Sequence, residues 1–368
     1  QVMATGKPDD VASNLASISG AYLAGRSSIR EIRRPQTGKA IIIKGARQHN
    51  LQNLTVQVPL GVLTAVTGVS GSGKSSLIFE VLARAVHQQL YGTGEAPGAH
   101  NGVEGCENLK RVITIDQRHT GRIPRSNAAT YTDIFTPIRE VFVSSPEARK
   151  RGFSARHFSF NTPGGRCPRC AGTGILVMKM HFLPDAGVRC PACQGRRFTQ
   201  PVLEVHYREH DISQVLDLTV DEALVLFKDV PAAFSRLQIL SEVGLGYLQL
   251  GQPATTLSGG EVQRVKLAKE LGRRTGGHTL FLLDEPTTGM HLEDVSRLLV
   301  VLQRLVDNGN SVVVVEHNLQ LIRAADWIID LGPEGGAGGG QIIAQGTPEQ
   351  VAQVSNSYTG RYLREILK

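Results

Sequence analysis

Long apolar runs are missing from this chain. None exceeds five residues, as in Ala223 to Phe227 and Leu298 to Leu302, whereas a bilayer-spanning helix needs ~18 or more. No membrane contact is expected. The opening Gln1-Val2-Met3-Ala4 has neither a charged n-region nor an apolar h-region, so no signal peptide is read there and the cytoplasm is the expected compartment. Cysteine is scarce, five in 368 residues, which excludes a disulfide-stapled small domain. Sustained heptads are absent as well, which argues against a coiled-coil ATPase. What is present, 41% hydrophobic and 20% charged residues, is the composition of a folded globular protein. At roughly 150 residues per domain, the length predicts two or three domains.

The formal excess of +7 is unevenly placed. Residues 110–208 carry 17 Lys and Arg against 6 Asp and Glu, and the remainder is mildly acidic. A local basic field of this kind suits a polyanion surface. Residues 1–23 align without a gap on residues 341–363, with ten identities that include Gly6 with Gly346, Pro8 with Pro348, Gly20 with Gly360 and Tyr22-Leu23 with Tyr362-Leu363. An internal repeat whose period is nearly the whole chain predicts a homologous module ahead of residue 1, with Gln1 not a natural start. Residues 24–39, rich in arginine, read as a linker.

Ala40 to Lys44 and Val62 to Thr67 read as strands, the second running into a glycine-rich loop and a helix from Ser75 to about Leu90. Leu280 to Leu283 and Val312 to Val315 are short apolar runs of the kind buried in parallel sheets. Between them Leu292, Val295, Leu299, Leu302 and Val306 form one helix face.

Gly68-Val69-Ser70-Gly71-Ser72-Gly73-Lys74-Ser75 fits G-x-x-x-x-G-K-[ST] between a strand and a helix. Glycines let backbone N–H groups converge on phosphate oxygens, and the helix N-terminus adds positive potential. Candidate ATP contacts are Gly68, Ser70, Gly71, Gly73, Lys74, Ser75 and Ser76, with Lys74 on the β and γ oxygens and Ser75 on Mg²⁺. The strand 280–283 ends in Asp284-Glu285, where ligands of such sheets bind. Asp284 suits the Mg²⁺ shell, and Glu285 suits orienting or deprotonating water. His317, ending the next strand, is placed to reach a γ-phosphate.

Leu257-Ser258-Gly259-Gly260-Glu261-Val262-Gln263-Arg264 is an ABC signature, and here the chain resembles the ABC ATPase family. The resemblance implies that Ser258, Gly259 and Gly260 complete the ATP site of another module, and that Gln117 is the loop glutamine of the catalytic set. Cys167-Pro168-Arg169-Cys170 and Cys190-Pro191-Ala192-Cys193 have zinc-ribbon spacing. Four thiolates close a tetrahedral Zn²⁺ shell, so this metal is expected to fold the insertion rather than catalyse. A redox disulfide pair is the alternative.

Lys74 and Ser258 are 184 residues apart, a gap lengthened relative to ABC transporters by about the size of this basic insert. With Phe158-Ser159-Phe160-Asn161, Gly164-Gly165-Arg166-Cys167, Met180-His181-Phe182-Leu183-Pro184-Asp185 and the Trp327 to Gly336 stretch, the match narrows to the second module of the UvrA family, the lesion-recognition subunit of bacterial nucleotide excision repair. Resemblance covers essentially the whole chain. It implies an α/β, ABC-type P-loop NTPase core, a mostly parallel sheet flanked by helices, with an inserted signature and DNA-binding domain that contains a zinc ribbon. The expected divisions are 1–39 tail and linker, 40–115 first core part, 116–256 insertion with ribbon 160–200, and 257–368 signature and remaining core.

Arg122, Arg125, Ser126, Asn127 and Tyr131 pack cations and hydroxyls in a proline-bent stretch suited to phosphates. The family places a similar segment on its DNA-facing insertion. The implied partners are damaged double-stranded DNA, the preceding ABC module on the same or a separate chain, a UvrA-type homodimer and, through that preceding half, a UvrB-like protein. Arg118-His119-Thr120, Ala128 and Ala186-Gly187 depart from the family pattern. A divergent paralogue in drug or intercalator resistance therefore stays open, as do a transporter-type ATPase and a non-catalytic DNA-binding scaffold.

Overall fold

The computed structural model describes residues 2–26, 33–116, 127–178, 186–273 and 276–367. The chain folds as two compact units, residues 1–116 with 274–368, and residues 117–273.

The first unit is built on a six-stranded sheet in the order Gln341–Gly346, Trp327–Gly332, Leu63–Gly68, Ser311–Val315, Thr279–Asp284, Arg111–Ile115. All pairings are parallel except that of the edge strand Gln341–Gly346. Burial on both faces explains why the central strands read as unbroken apolar runs: Ser311–Val315 is buried at every position. The register sets Asp284 beside Val315, so the acidic strand end and the turn holding His317 emerge together at the C-terminal edge. Helix Leu292–Asp307 lays Val295, Leu298, Leu299, Leu302 and Val306 on the sheet, as the periodicity requires. A smaller antiparallel sheet joins Leu54–Pro59, Ala40–Ala46 and Gly102–Glu104.

The internal repeat is also a structural one. Helices Pro8–Ser13 and Ile18–Leu23 correspond, at the same offset of 340, to Pro348–Ala352 and Tyr358–Ile366. In each copy a serine caps the second helix, Ser17 accepting from the Gly20 N–H and Ser357 from the Gly360 N–H. Each of these glycines lies where a Cβ would fall within 2.1 Å of Val11 O or 2.3 Å of Val351 O, so close helix approach demands glycine at both.

Two arginines of the segment read as a linker, Arg33 and Arg34, are fastened to this unit. Arg33 pairs with Glu349 at 2.8 Å, and Arg34 pairs with Asp307 at 2.7 Å and with the buried Asp326 at 3.2 Å. Asp326 also accepts the Leu63 N–H at the start of the strand that leads to the phosphate loop.

The second unit is helical around an aromatic core in which Phe135 meets Phe160 at 5.2 Å and Phe142 meets Phe158 at 5.5 Å between ring centroids. It runs to residue 273, past the sequence boundary at 256, because the signature helix Gly259–Leu271 packs on Pro231–Leu240 and Ser241–Leu245 of the same unit. Among the described residues, no helix is long and apolar enough to cross a membrane.

Candidate ATP and zinc sites

The phosphate loop leaves its strand at Gly68, where φ is +129° and a Cβ would lie 1.9 Å from the Leu331 carbonyl oxygen. Only glycine fits. Lys74 is 5% exposed, and its ammonium donates to the carbonyls of Gly68 at 2.9 Å and Val69 at 2.8 Å. Burial holds that ammonium below its ordinary pKa, while Glu285, Asp330 and Asp284 pull it back up. It is therefore poised on weak neutral acceptors inside the curve of the loop, ready to exchange them for phosphate oxygens.

Two further elements brace the loop, and sequence reading missed both. Asn50 donates from Nδ2 to the carbonyls of Gly71 and Gly336, each at 2.9 Å. The glycine loop 335–340 returns alongside, with Gly336 N–H on Gly71 O at 3.0 Å and Gly340 N–H on Ser72 O at 3.1 Å. Such backbone-to-backbone closeness leaves little room for side chains, which is why the segment is nearly all glycine.

Asp284 and Glu285 end their strand beside this loop's lysine. Burial raises the Asp284 carboxyl above the usual range, with repulsion from Glu285, Asp116 and Glu316 adding to it and Lys74 opposing. A half-buried carboxylate under that pressure gains from a cation, which fits the oxygen-ligand chemistry of Mg²⁺. Ser75, at the head of the helical segment, is exposed. Glu285 occupies the left-handed region at φ +44°, strain of a kind that recurs in active sites. Its Oε1 lies 3.5 Å from His317 Nε2.

Glu316 is the residue whose role the sequence did not disclose. It is 2% exposed and accepts from the Thr287 N–H and hydroxyl on one oxygen and from the N–H groups of His317 and Asn318 on the other, at 2.6–2.9 Å. One carboxylate thus ties the turn after Glu285 to the turn that carries His317. Glu316→Ala is expected to orphan these donors at about 1–3 kcal/mol for each one left buried. Urea unfolding measures the loss, and an unchanged stability would refute this role.

In the second unit, Ser258 caps the helix Gly259–Leu271. Its hydroxyl accepts from the Glu261 N–H, and the Glu261 carboxylate accepts from the Ser258 N–H at 2.7 Å. Tyr247 donates to the same carboxylate at 2.6 Å, and burial followed by that carboxylate pushes its phenol up to about 12. The signature turn is thereby held in shape from within its own unit.

The four cysteines come together. Cys167 and Cys190 sulfurs lie 3.9 Å apart, Cys170 and Cys193 3.7 Å, and all four within 4.8 Å of one another. Four Zn–S bonds of ~2.3 Å in a tetrahedron put sulfurs about 3.8 Å apart, so the spacing of the set fits zinc. Burial pushes the Cys193 thiol up to about 12, while the Gly174 N–H donates to Cys170 Sγ at 3.3 Å and N–H groups of Cys193 and Ala192 pull the Cys190 thiol down to about 7. Thiolates stabilised this way are the form a metal takes.

Of the proposed nucleic-acid contacts, Asn127 is 1% exposed and caps the helix Ala128–Tyr131 through the Thr130 N–H. Tyr131 carries the Lys269 ammonium over its ring at 4.3 Å. Gln117, Arg122, Arg125 and Ser126 lie outside the described residues.

The chain is 55% identical, over its full length, to UvrABC system protein A of Streptococcus pyogenes serotype M3. It is 54% identical to the protein of the same name from Bacillus subtilis. The chain belongs to the UvrA family. It spans 39% of the length of either relative. The crystal structure of UvrA2 from Deinococcus radiodurans superposes with a TM-score of 0.91 at 46% identity, covering all of this chain and 44% of that one. No family model matches the chain.

Proposed function

We propose that this chain is the C-terminal ABC module of a UvrA-type damage-recognition protein, which binds and hydrolyses ATP to control its grip on distorted duplex DNA in nucleotide excision repair. The observation that carries the reading is the gathering of Lys74, Asp284, Glu285 and His317 at one sheet edge. Lys74 would leave the Gly68 and Val69 carbonyls for the β and γ oxygens. Gly68, Ser70, Gly71, Gly73 and Ser76 would frame the phosphates. Ser75 and Asp284 would hold Mg²⁺, which supplies charge neutralisation at the transferring phosphoryl group. Glu285 would orient the attacking water and accept its proton, with His317 at the γ-phosphate and Gln117 completing the set. Ser258, Gly259 and Gly260 would serve the ATP site of a second module, on the same or a separate chain.

The insertion would carry the DNA surface. Arg122, Arg125, Ser126 and Tyr131 are the proposed phosphate contacts, while buried Asn127 caps the helix Ala128–Tyr131. Zinc on Cys167, Cys170, Cys190 and Cys193 would stiffen it. A surface that grips phosphates on both sides of a lesion reads deformability rather than sequence. A UvrB-like partner would bind through the preceding half, homodimers would form as in the family, and the protein would act in the cytoplasm. Identity of 55% over the whole chain to a UvrABC system protein supports the repair reading.

The test is binding of the full-length protein to lesion-bearing and intact duplex with and without ATP, across salt. With about six phosphates neutralised, affinity is expected to fall by roughly 10³-fold between 50 and 200 mM salt. A salt-insensitive complex, or one indifferent to both lesion and ATP, would overturn the reading.

A further inference from the structure

The two copies of the tail helix share a sequence but not a setting. In the trailing copy, Tyr358–Ile366, Leu363 is fully buried, and Ser357 and Thr359 donate to Asp330 of the neighbouring sheet strand. This is the face a tail presents to its own module. In the leading copy, Ile18–Leu23, the equivalent Leu23 is 61% exposed, so the leucine contact is not made there. The leading helix is nonetheless anchored, through Ser19 and Tyr22. His291, the N-cap of helix Leu292–Asp307, accepts the Glu293 N–H on Nδ1, so the neutral ring carries its proton on Nε2, 2.8 Å from Ser19 Oγ. The Tyr22 hydroxyl donates to Glu293 Oε2 at 3.1 Å and lies 2.9 Å from Ser296 Oγ. The helix so gripped starts seven residues after Glu285.

Tyr362 is the counterpart of Tyr22, and it stands 49% exposed. Ser19's counterpart, Thr359, is already engaged by Asp330, so the phenol is the part of that face left for a partner. We propose that Tyr362 grips the equivalent helix of a second, homologous ABC module, the one whose tail residues 2–23 form, as Tyr22 grips helix Leu292–Asp307 here. Two like modules related by a two-fold axis make every contact twice: if the tail of one sits on the helix of the other, the reverse contact follows. The proposal rests on the two-module reading above and adds which surfaces meet. It also gives the contact a task. Tyr362 lines a cavity of about 300 Å³ together with Gly68, Val69, Glu316 and His317. Each tail would therefore border the γ-phosphate end of its own module while holding the helix that follows the catalytic carboxylates of the other.

The experiment uses the full-length two-module protein with p-benzoylphenylalanine placed at Tyr362 or, separately, at Tyr22, followed by irradiation and peptide mapping. Tyr22 is expected to label residues 291–296 of this chain. Tyr362 is expected to label the peptide that follows the preceding module's own Asp-Glu pair. A Tyr362 probe that labels its own module only, DNA only, or nothing overturns the proposal, and so does a Tyr22 probe that leaves residues 291–296 unlabelled. ATP turnover measured on the same samples separates the two readings. Both adducts without ATP hydrolysis would sink the repair ATPase and leave the contact standing, whereas hydrolysis without the Tyr362 adduct does the opposite.

Discussion

Glu285→Gln is expected to cut ATP turnover by roughly 10²–10⁴-fold, the usual worth of a positioned general base, while nucleotide binding persists. The amide is isosteric with the carboxylate, so the left-handed backbone at φ +44° is kept. It cannot accept the water proton, and its contact with His317 at 3.5 Å loses its charge. The measurement is a single-turnover ATPase assay beside a fluorescent-nucleotide titration in the full-length protein. A turnover within threefold of the parent would remove Glu285 from the reaction, and loss of nucleotide affinity in step with turnover would assign it to binding. A non-catalytic scaffold would show no change in turnover, which separates it from the repair ATPase.

Cys170→Ser is expected to have an effect of comparable size in the other unit. A structural zinc site contributes roughly 10–16 kcal/mol of apparent binding free energy at neutral pH, and among the described residues the four cysteines form a buried cluster of their own with Leu176 packed against it. Replacing one thiolate with a weaker hydroxyl ligand should drop bound zinc from one equivalent toward none and unfold the segment around residues 167–193. Metal analysis and hydrogen exchange over that segment are the checks. Phosphate-loop residues lie in the other compact unit, so ATP binding should survive. Retention of stoichiometric zinc would refute the four-thiolate assignment.

Sequence disclosed most where a function forces a local pattern. The loop 68–75 and the cysteine pairs are contiguous or nearly so, and each carries its own chemistry. Parallel strands such as Ser311–Val315 announce themselves because burial on both faces forbids polar alternation. The smaller sheet was less legible. Leu54–Pro59 alternates as a half-buried strand should, but Gly102–Glu104 is too short to show a period. What stayed hidden was set by partners far away in the chain. Arg33 and Arg34 looked like solvated linker charge until Glu349, Asp307 and Asp326 were brought beside them. Glu316 is one acid among many until two turns converge on it. The glycines at 335–340 read as a loop, and only their hydrogen bonds to Gly71 and Ser72 make them part of the nucleotide site.

Bracing of the phosphate loop by Asn50 and by those glycines bears on how the protein would tell its nucleotides apart. A cradle braced by its own hydrogen bonds spends little on rearrangement, and most of its grip falls on the inner phosphates that ATP and ADP have in common. On the proposed reading the cradle discriminates weakly between fuel and spent product. Sensing of the terminal phosphoryl group is then left to Glu285 and His317, which Glu316 obliges to shift as a pair.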